Sequence, residues 1–234
     1  MNDWEDISSQ APPRPQVAQL PQRDPPPYSR PAGPPRLRIL GATWGGVQVT
    51  EDIQSMVSAT ETVTLDMRTL SRLLQPDPVF GTVKTLSVLY TYEQGDQGGQ
   101  GGDICLVSIS EQEQFPVEIC ATAQRFATRS YSIRTLKPPF WRAAKHDGGD
   151  GEVEILAALY GPQRIETPRV LEELGKFFEG RRGQIRMTNS FFKADTWPDH
   201  RKSWTIYFRF VGSDRIQVVT GMEDGALEVP WSRY

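Results

Sequence analysis

The sequence predicts a mainly β fold of the α+β kind: two related β-sandwich-like units, each with a short helix, behind a disordered proline-rich tail. Three observations carry this expectation. An apolar strand ending in an aromatic residue and a glycine occurs twice, as Ile39-Leu40-Gly41-Ala42-Thr43-Trp44-Gly45 and as Ile155-Leu156-Ala157-Ala158-Leu159-Tyr160-Gly161. After each copy comes a short amphipathic segment, then an Asp (Asp77 or Asp195), and seven residues later a Lys (Lys84 or Lys202) opening a long alternating strand. Finally, residues 1–36 hold ten of the nineteen prolines and almost no large aliphatic side chains, so they bury too little apolar area to offset their ordering entropy.

Within that tail lies Pro25-Pro26-Pro27-Tyr28, a PPxY-type ligand for WW domains. The prolines pre-set a polyproline II helix and so reduce the entropy lost on binding, and the tyrosine fits a small groove beside an aromatic shelf. Arg23 and Arg30 flank it and add electrostatic steering.

The first unit is expected over residues 37–120. Trp44-Gly45-Gly46 ends its first strand in a tight turn where glycine tolerates positive φ. Thr50 is placed to cap a short helix whose first turn carries Glu51 and Asp52, with Ile53, Met56 and Val57 on the apolar side. Val63 and Leu65 read as a strand, and Leu70, Leu73 and Leu74 as a helix stopped by Pro76. Lys84 opens the long strand, in which Leu86, Val88, Tyr90 and Tyr92 share one face. Gly95 to Gly102 is a flexible connection. It lacks the Lys-Ser/Thr of a phosphate-binding loop, and no helix pattern follows it. Ile104 to Ile109 is the returning strand.

Residues 121–152 are a connecting segment, with one strand expected over 131–136 and an extended stretch to Trp141. The second unit covers residues 153–234. It holds the clearest helix, with Thr167 as cap, Pro168 first, and Val170, Leu171, Leu174, Phe177 and Phe178 on one face. Gly180 or Gly183 ends it. Lys202 opens the second long strand, where Trp204, Ile206, Phe208 and Phe210 match the aromatic-rich face of the first. Both faces read as sheet core. Ile216 to Val219 closes the sheet across Gly212-Ser213-Asp214.

Composition narrows the function classes. A net charge of -3 gives no global field toward nucleic acid or an anionic membrane. Apolar runs are strand-sized, short of the roughly 18 residues of a membrane helix, and the acidic start Met1-Asn2-Asp3-Trp4-Glu5-Asp6 lacks the order of a signal peptide. Two cysteines make no disulfide framework, so a reduced, cytoplasmic protein is expected.

The order aromatic-Gly (Trp44-Gly45), Val47 to Thr50, Ile53-Gln54 through Val57, Asp77-Pro78, Gly81 and Lys84 to Tyr90 resembles the C-terminal β-domain of the mitochondrial J-protein family DnaJ homologue subfamily C member eleven. The resemblance spans roughly residues 37–120 and, more loosely, 153–230. It implies a β-domain used for protein association, at membranes in that family, with no catalytic residues to transfer. The J domain and its His-Pro-Asp tripeptide are missing from this sequence, so co-chaperone activity does not carry over.

No catalytic residue, metal site or cofactor is expected. Cys105, Cys120, His146 and His200 lack the paired spacing of zinc ligands, and both histidines sit in loop-like surroundings unsuited to a nucleophile's base. Asp77 and Asp195 recur at equivalent positions, as a paired-carboxylate hydrolase would need, but each also reads as a turn cap before its strand. Exposed Trp141, Trp197 or Trp231 would suit stacking on sugar rings. The expected function is thus a non-enzymatic adaptor whose tail engages a WW-domain partner such as a ubiquitin ligase. A lectin-like ligand-binding protein and an uncharacterised enzyme are the alternatives.

Overall fold

The computed structural model describes residues 35–77, 79–93, 102–113, 116–120, 132–136, 141–142 and 152–228. The strand β1 (Arg36–Trp44) turns at Gly45 and Gly46 into β2 (Val47–Gln48), and both glycines have positive φ. There follow α1 (Thr50–Ser55), β3 (Val63–Leu65), α2 (Met67–Leu73), the long β4 (Thr85–Glu93), β5 (Ile104–Ser110) and β6 (Val117–Ile119). The connecting segment supplies β7 (Ser132–Leu136) and β8 (Trp141–Arg142). The second unit repeats the order with β9 (Val153–Tyr160), β10 (Gln163–Arg164), α3 (Pro168–Phe178), β11 (Ile185–Arg186), α4 (Asn189–Phe192), β12 (Ser203–Phe210), β13 (Gln217–Met222) and β14 (Ala226–Leu227).

The fold is mainly β. One antiparallel sheet runs β2-β1-β4-β5-β7, and a second runs β10-β9-β12-β13 with β8 also on β9. Two small pairs, β3 with β6 and β11 with β14, accompany them. The connecting segment therefore gives one strand to each sheet. No helix among the described residues is long and apolar enough to cross a membrane.

Three apolar layers result. Leu86, Val88 and Tyr90 join Ile53 and Leu70 between the first sheet and its helices. Trp204, Ile206 and Phe208 join Leu174, Phe178 and Phe192 in the second unit, where Phe178 and Phe208 stack with ring centroids 3.9 Å apart. The other parity of the long strands forms a third layer, in which Leu89 and Leu106 of one unit meet Leu156, Leu159 and Tyr207 of the other. The expected core faces are thus the helix-covered ones, and the sandwich forms where the opposite faces meet.

A bulge in each unit makes this possible. The β1–β4 register skips Leu40, and the β9–β12 register skips Leu156. One extra residue reverses the alternation. Leu37 and Ile39 before the bulge, and Ala42 and Trp44 after it, all reach the helix-side core, while Leu40 is turned to the inter-sheet layer. The second unit does the same with Val153, Ile155, Ala158 and Tyr160.

The two units differ where they touch. A Cβ on Gly41 would lie 2.5 Å from Val218 and 2.8 Å from the Tyr207 ring. The equivalent positions of the opposite units, Ala157 and Leu89, lie in the same layer. The larger Tyr207 is thus met by a smaller residue, Gly41. The Tyr207 hydroxyl is satisfied by Ser87 at 2.7 Å, and Thr43 bonds Thr205 at 2.9 Å.

Local expectations met mixed outcomes. Thr50 is the first helical residue rather than a cap. Its hydroxyl instead accepts from the Ala42 amide (2.9 Å), tying helix to strand. Thr167 occupies the N-cap of α3 without a side-chain cap bond, Pro168 follows it, and Gly180, at φ 71°, terminates the helix. Asp66 and Thr188 are the side chains that cap helices, α2 and α4. Four residues past each cap lies a fully buried anchor, Leu70 or Phe192. The glycine-rich connection at 95–101, Trp231, His146 and the whole Pro25, Pro26, Pro27, Tyr28 motif lie outside the described residues.

Candidate functional site: two buried lysines

The eight positions that recur in the sequence come together as two matching clusters. In the first unit the turn at Gly45 follows Trp44, and the Gly45 amide donates to Thr85 (3.1 Å). A Cβ on Gly45 would lie 2.9 Å from Lys84 Cγ, so the glycine leaves room for the lysine stem. Lys84 Nζ reaches Asp77 Oδ2 at 2.9 Å and Glu111 Oε2 at 3.9 Å. In the second unit the Gly161 amide donates to Ser203 (2.8 Å), and Lys202 Nζ reaches Asp195 Oδ1 at 2.8 Å and Glu223 Oε2 at 3.5 Å.

The backbone repeats as closely. Glu111 and Glu223 each use a carboxylate oxygen to accept the lysine's own amide (2.9 and 3.1 Å), while their amides return the bond to the lysine carbonyl, both at 2.7 Å. Asp77 accepts from the Val79 amide and Asp195 from the Trp197 amide, two residues on in each case. The turn-cap reading of both aspartates therefore holds, with a second job added: each is also the lysine's counter-ion. The two glutamates went unrecognised in the sequence. The available signal was their place, one residue past the end of the returning strand in both units.

Electrostatics follow from these contacts. Partial burial opposes ionisation of Asp77, but the Lys84 bond and the Val79 amide outweigh it and hold its carboxyl below the usual value. The Lys202 bond, with the Trp197 amide, likewise holds the Asp195 carboxyl below its usual value against the desolvation that opposes it. The Tyr160 hydroxyl lies between Glu223 Oε1 (2.5 Å) and Asn189 Oδ1 (2.7 Å). Burial, with the Glu223 carboxylate beside it, pushes its pKa far above that of free tyrosine.

As chemistry, the clusters tie structure together. The Lys202 side chain is 2% exposed and Lys84 9%, so both amines are shielded from solvent. Asp77 and Asp195 are each engaged by a lysine in their own unit, and are not a facing pair. Cys105 and Cys120 are not joined in a disulfide. His200 stacks on Trp197 (4.8 Å) with Nδ1 2.9 Å from the Pro198 carbonyl oxygen, so Trp197 is covered on that ring face by a neighbour. No group of three metal-ligating side chains occurs among the described residues.

One cleft, of about 370 Å³, is lined by the exposed cations Arg169, Arg182, Arg186 and Lys193. Its acid, Glu173, is paired with Arg182 and Lys176.

No protein-family model, curated protein or solved structure matches the chain.

Proposed function

We propose that this protein is a non-enzymatic adaptor, an internally duplicated cytoplasmic body whose proline-rich tail offers Pro25-Pro26-Pro27-Tyr28 to a WW-domain partner such as a ubiquitin ligase. The observation that carries this reading is the motif itself, set in a proline-rich segment with Arg23 and Arg30 beside it. Support also comes from the body. The recurrent Asp and Lys residues are engaged with each other across strand ends. The resemblance to a J-protein β-domain points the same way, toward protein association. Titration of the full chain against a panel of WW domains tests it. Micromolar binding is expected, and Tyr28→Ala should weaken it at least about tenfold. Binding indifferent to Tyr28 would end the adaptor reading.

A second reading, a ligand-binding β-protein, is favoured by the cationic cleft beside α3 and α4. Its ligand would be anionic. Salt-sensitive binding of an acidic ligand that Arg186→Glu with Lys193→Glu removes, and Tyr28→Ala leaves intact, would select it.

A further inference from the structure

Basic side chains from four neighbouring pieces of the second unit converge on one cleft of about 370 Å³. Arg169 comes from the first turn of α3, Arg182 from the turn after that helix, Arg186 from β11 and Lys193 from the end of α4. The one carboxylate in the lining is Glu173, which already holds Arg182 and Lys176. Four cations against one acid give the lining a net charge of +3, in a chain whose own net charge is -3.

These groups are positioned before any ligand arrives. Arg182 is fixed through Glu173, and its amide donates to the Lys176 carbonyl (3.1 Å). Arg186 donates from Nε to the Asp224 carbonyl (3.1 Å), which anchors the guanidinium through one of its three nitrogens. Lys193 is the left-handed C-cap of α4 (φ 57°), a helix closed at its start by Thr188. Groups held in this way lose less freedom on binding. The α3 helix begins without a side-chain cap bond, so the positive end of its dipole adds to the field around Arg169.

The lining also has an apolar part. Val170 and Ile185 are buried. Phe191 is half-buried, its ring packed edge-on against Phe192 (5.2 Å), which in turn stacks on Tyr160 (4.2 Å). The volume is on the scale of small-ligand pockets, roughly 300–1,000 Å³.

Cations arriving from several elements suit an anion with oxygens in several directions. A carboxylate offers two oxygens in one plane and is filled by a single guanidinium fork. A phosphate monoester offers three, with about two negative charges near neutral pH. On the second reading above, that the cleft takes an anion, we propose that its ligand is a small organic phosphate. The phosphate lies among Arg169, Arg186 and Lys193, and the organic group lies against Phe191.

Calorimetric titration of the full chain with inorganic pyrophosphate, adenosine diphosphate and citrate tests this. Both phosphates should bind with a Kd of about 10–100 µM, more weakly as NaCl rises. Adenosine diphosphate should bind at least about threefold tighter than pyrophosphate, and citrate at least about tenfold weaker. Arg169→Gln with Lys193→Gln, at two exposed positions, should weaken both phosphates about tenfold and leave the melting temperature of the ligand-free chain unchanged. Phe191→Ala should remove the advantage of the nucleotide while pyrophosphate still binds, which also shows that the fold is kept. Citrate bound as tightly as pyrophosphate would overturn the phosphate assignment and leave the anion reading standing, whereas no salt-sensitive binding of any probe would end both. Phosphate binding indifferent to the Arg169 and Lys193 substitutions would overturn the proposal by placing the site elsewhere. Pyrophosphate bound as tightly as the nucleotide would overturn the organic group, and a phosphoserine peptide bound more tightly than either would assign the cleft to a modified protein instead.

Discussion

Lys84 and Lys202 occupy the same point of the two units, yet the second is held more tightly. The partners of Lys84 are 29% and 30% exposed and its own side chain 9%; Lys202 is 2% exposed, and of its partners Asp195 is 43% exposed but Glu223 only 12%. The residue behind each turn differs as well. Tyr160 adds a hydroxyl that grips Glu223 and Asn189, and Trp44 has none to offer its own glutamate. What persists between the units is the tie from strand start to strand end. How dry it is differs, and the energetic weight of each lysine should differ with it.

The largest expected effect follows from that difference. Lys202→Met strands Glu223 as a mostly buried carboxylate, at a cost of about 3–5 kcal/mol. Lys84→Met leaves carboxylates that water can reach, at roughly 1–2 kcal/mol. Denaturant unfolding of both variants measures the gap, and equal losses would mean the two clusters are energetically alike.

The next comparison concerns the layer between the sheets. Gly41→Ala places a methyl against Val218 and Tyr207 and should cost about 1–3 kcal/mol by overpacking. Combining it with Tyr207→Leu places at these positions the residue types found at their equivalents, Ala157 and Leu89. A double-mutant cycle should then return a favourable coupling of about 1 kcal/mol or more. An additive cycle would show that the glycine is not there for the tyrosine. A smaller loss, about 1–2 kcal/mol, is expected for Tyr160→Phe, which removes the hydroxyl from two polar partners while keeping the ring stacked on Phe192. It should bring Lys202→Met closer to its first-unit equivalent.

Much of this frame was legible because the recurring residues are the ones that cannot drift: the glycine that must take positive φ, the lysine beside it and the aspartate turn seven residues earlier. The mainly β class and the α3 helix followed from periodicity. The bulges at Leu40 and Leu156 did not, since an apolar residue fits either face of these strands and only the ladder counts the skip. The strands β6 and β14 are too short to carry a period. Glu111 and Glu223 are far in sequence from the lysines they hold, so each looked like an ordinary acid after a strand. The sandwich contact was hidden for a similar reason: Leu89 and Tyr207 lie on the parity that a one-sided reading gives to solvent.

Acid titration sharpens the comparison at its smallest scale. Asp77 and Asp195 both ionise more readily in the folded protein than in the unfolded chain. A depressed folded pKa contributes stability that is complete above the unfolded value of about 4 and is lost as pH falls through the folded value. The melting temperature should therefore begin to drop below about pH 4, and Asp77→Asn and Asp195→Asn should each remove part of that slope while lowering the neutral-pH value slightly. Solvent screening keeps both contributions modest, since the Asp195 side chain is 43% exposed and that of Asp77 29%. Their sites lie in separate units with no shared partner, so the double variant should show the sum of the two. A double variant with the wild-type acid slope would mean that neither aspartate's bond to its lysine survives in solution, and the paired clusters would then rest on Glu111 and Glu223 alone.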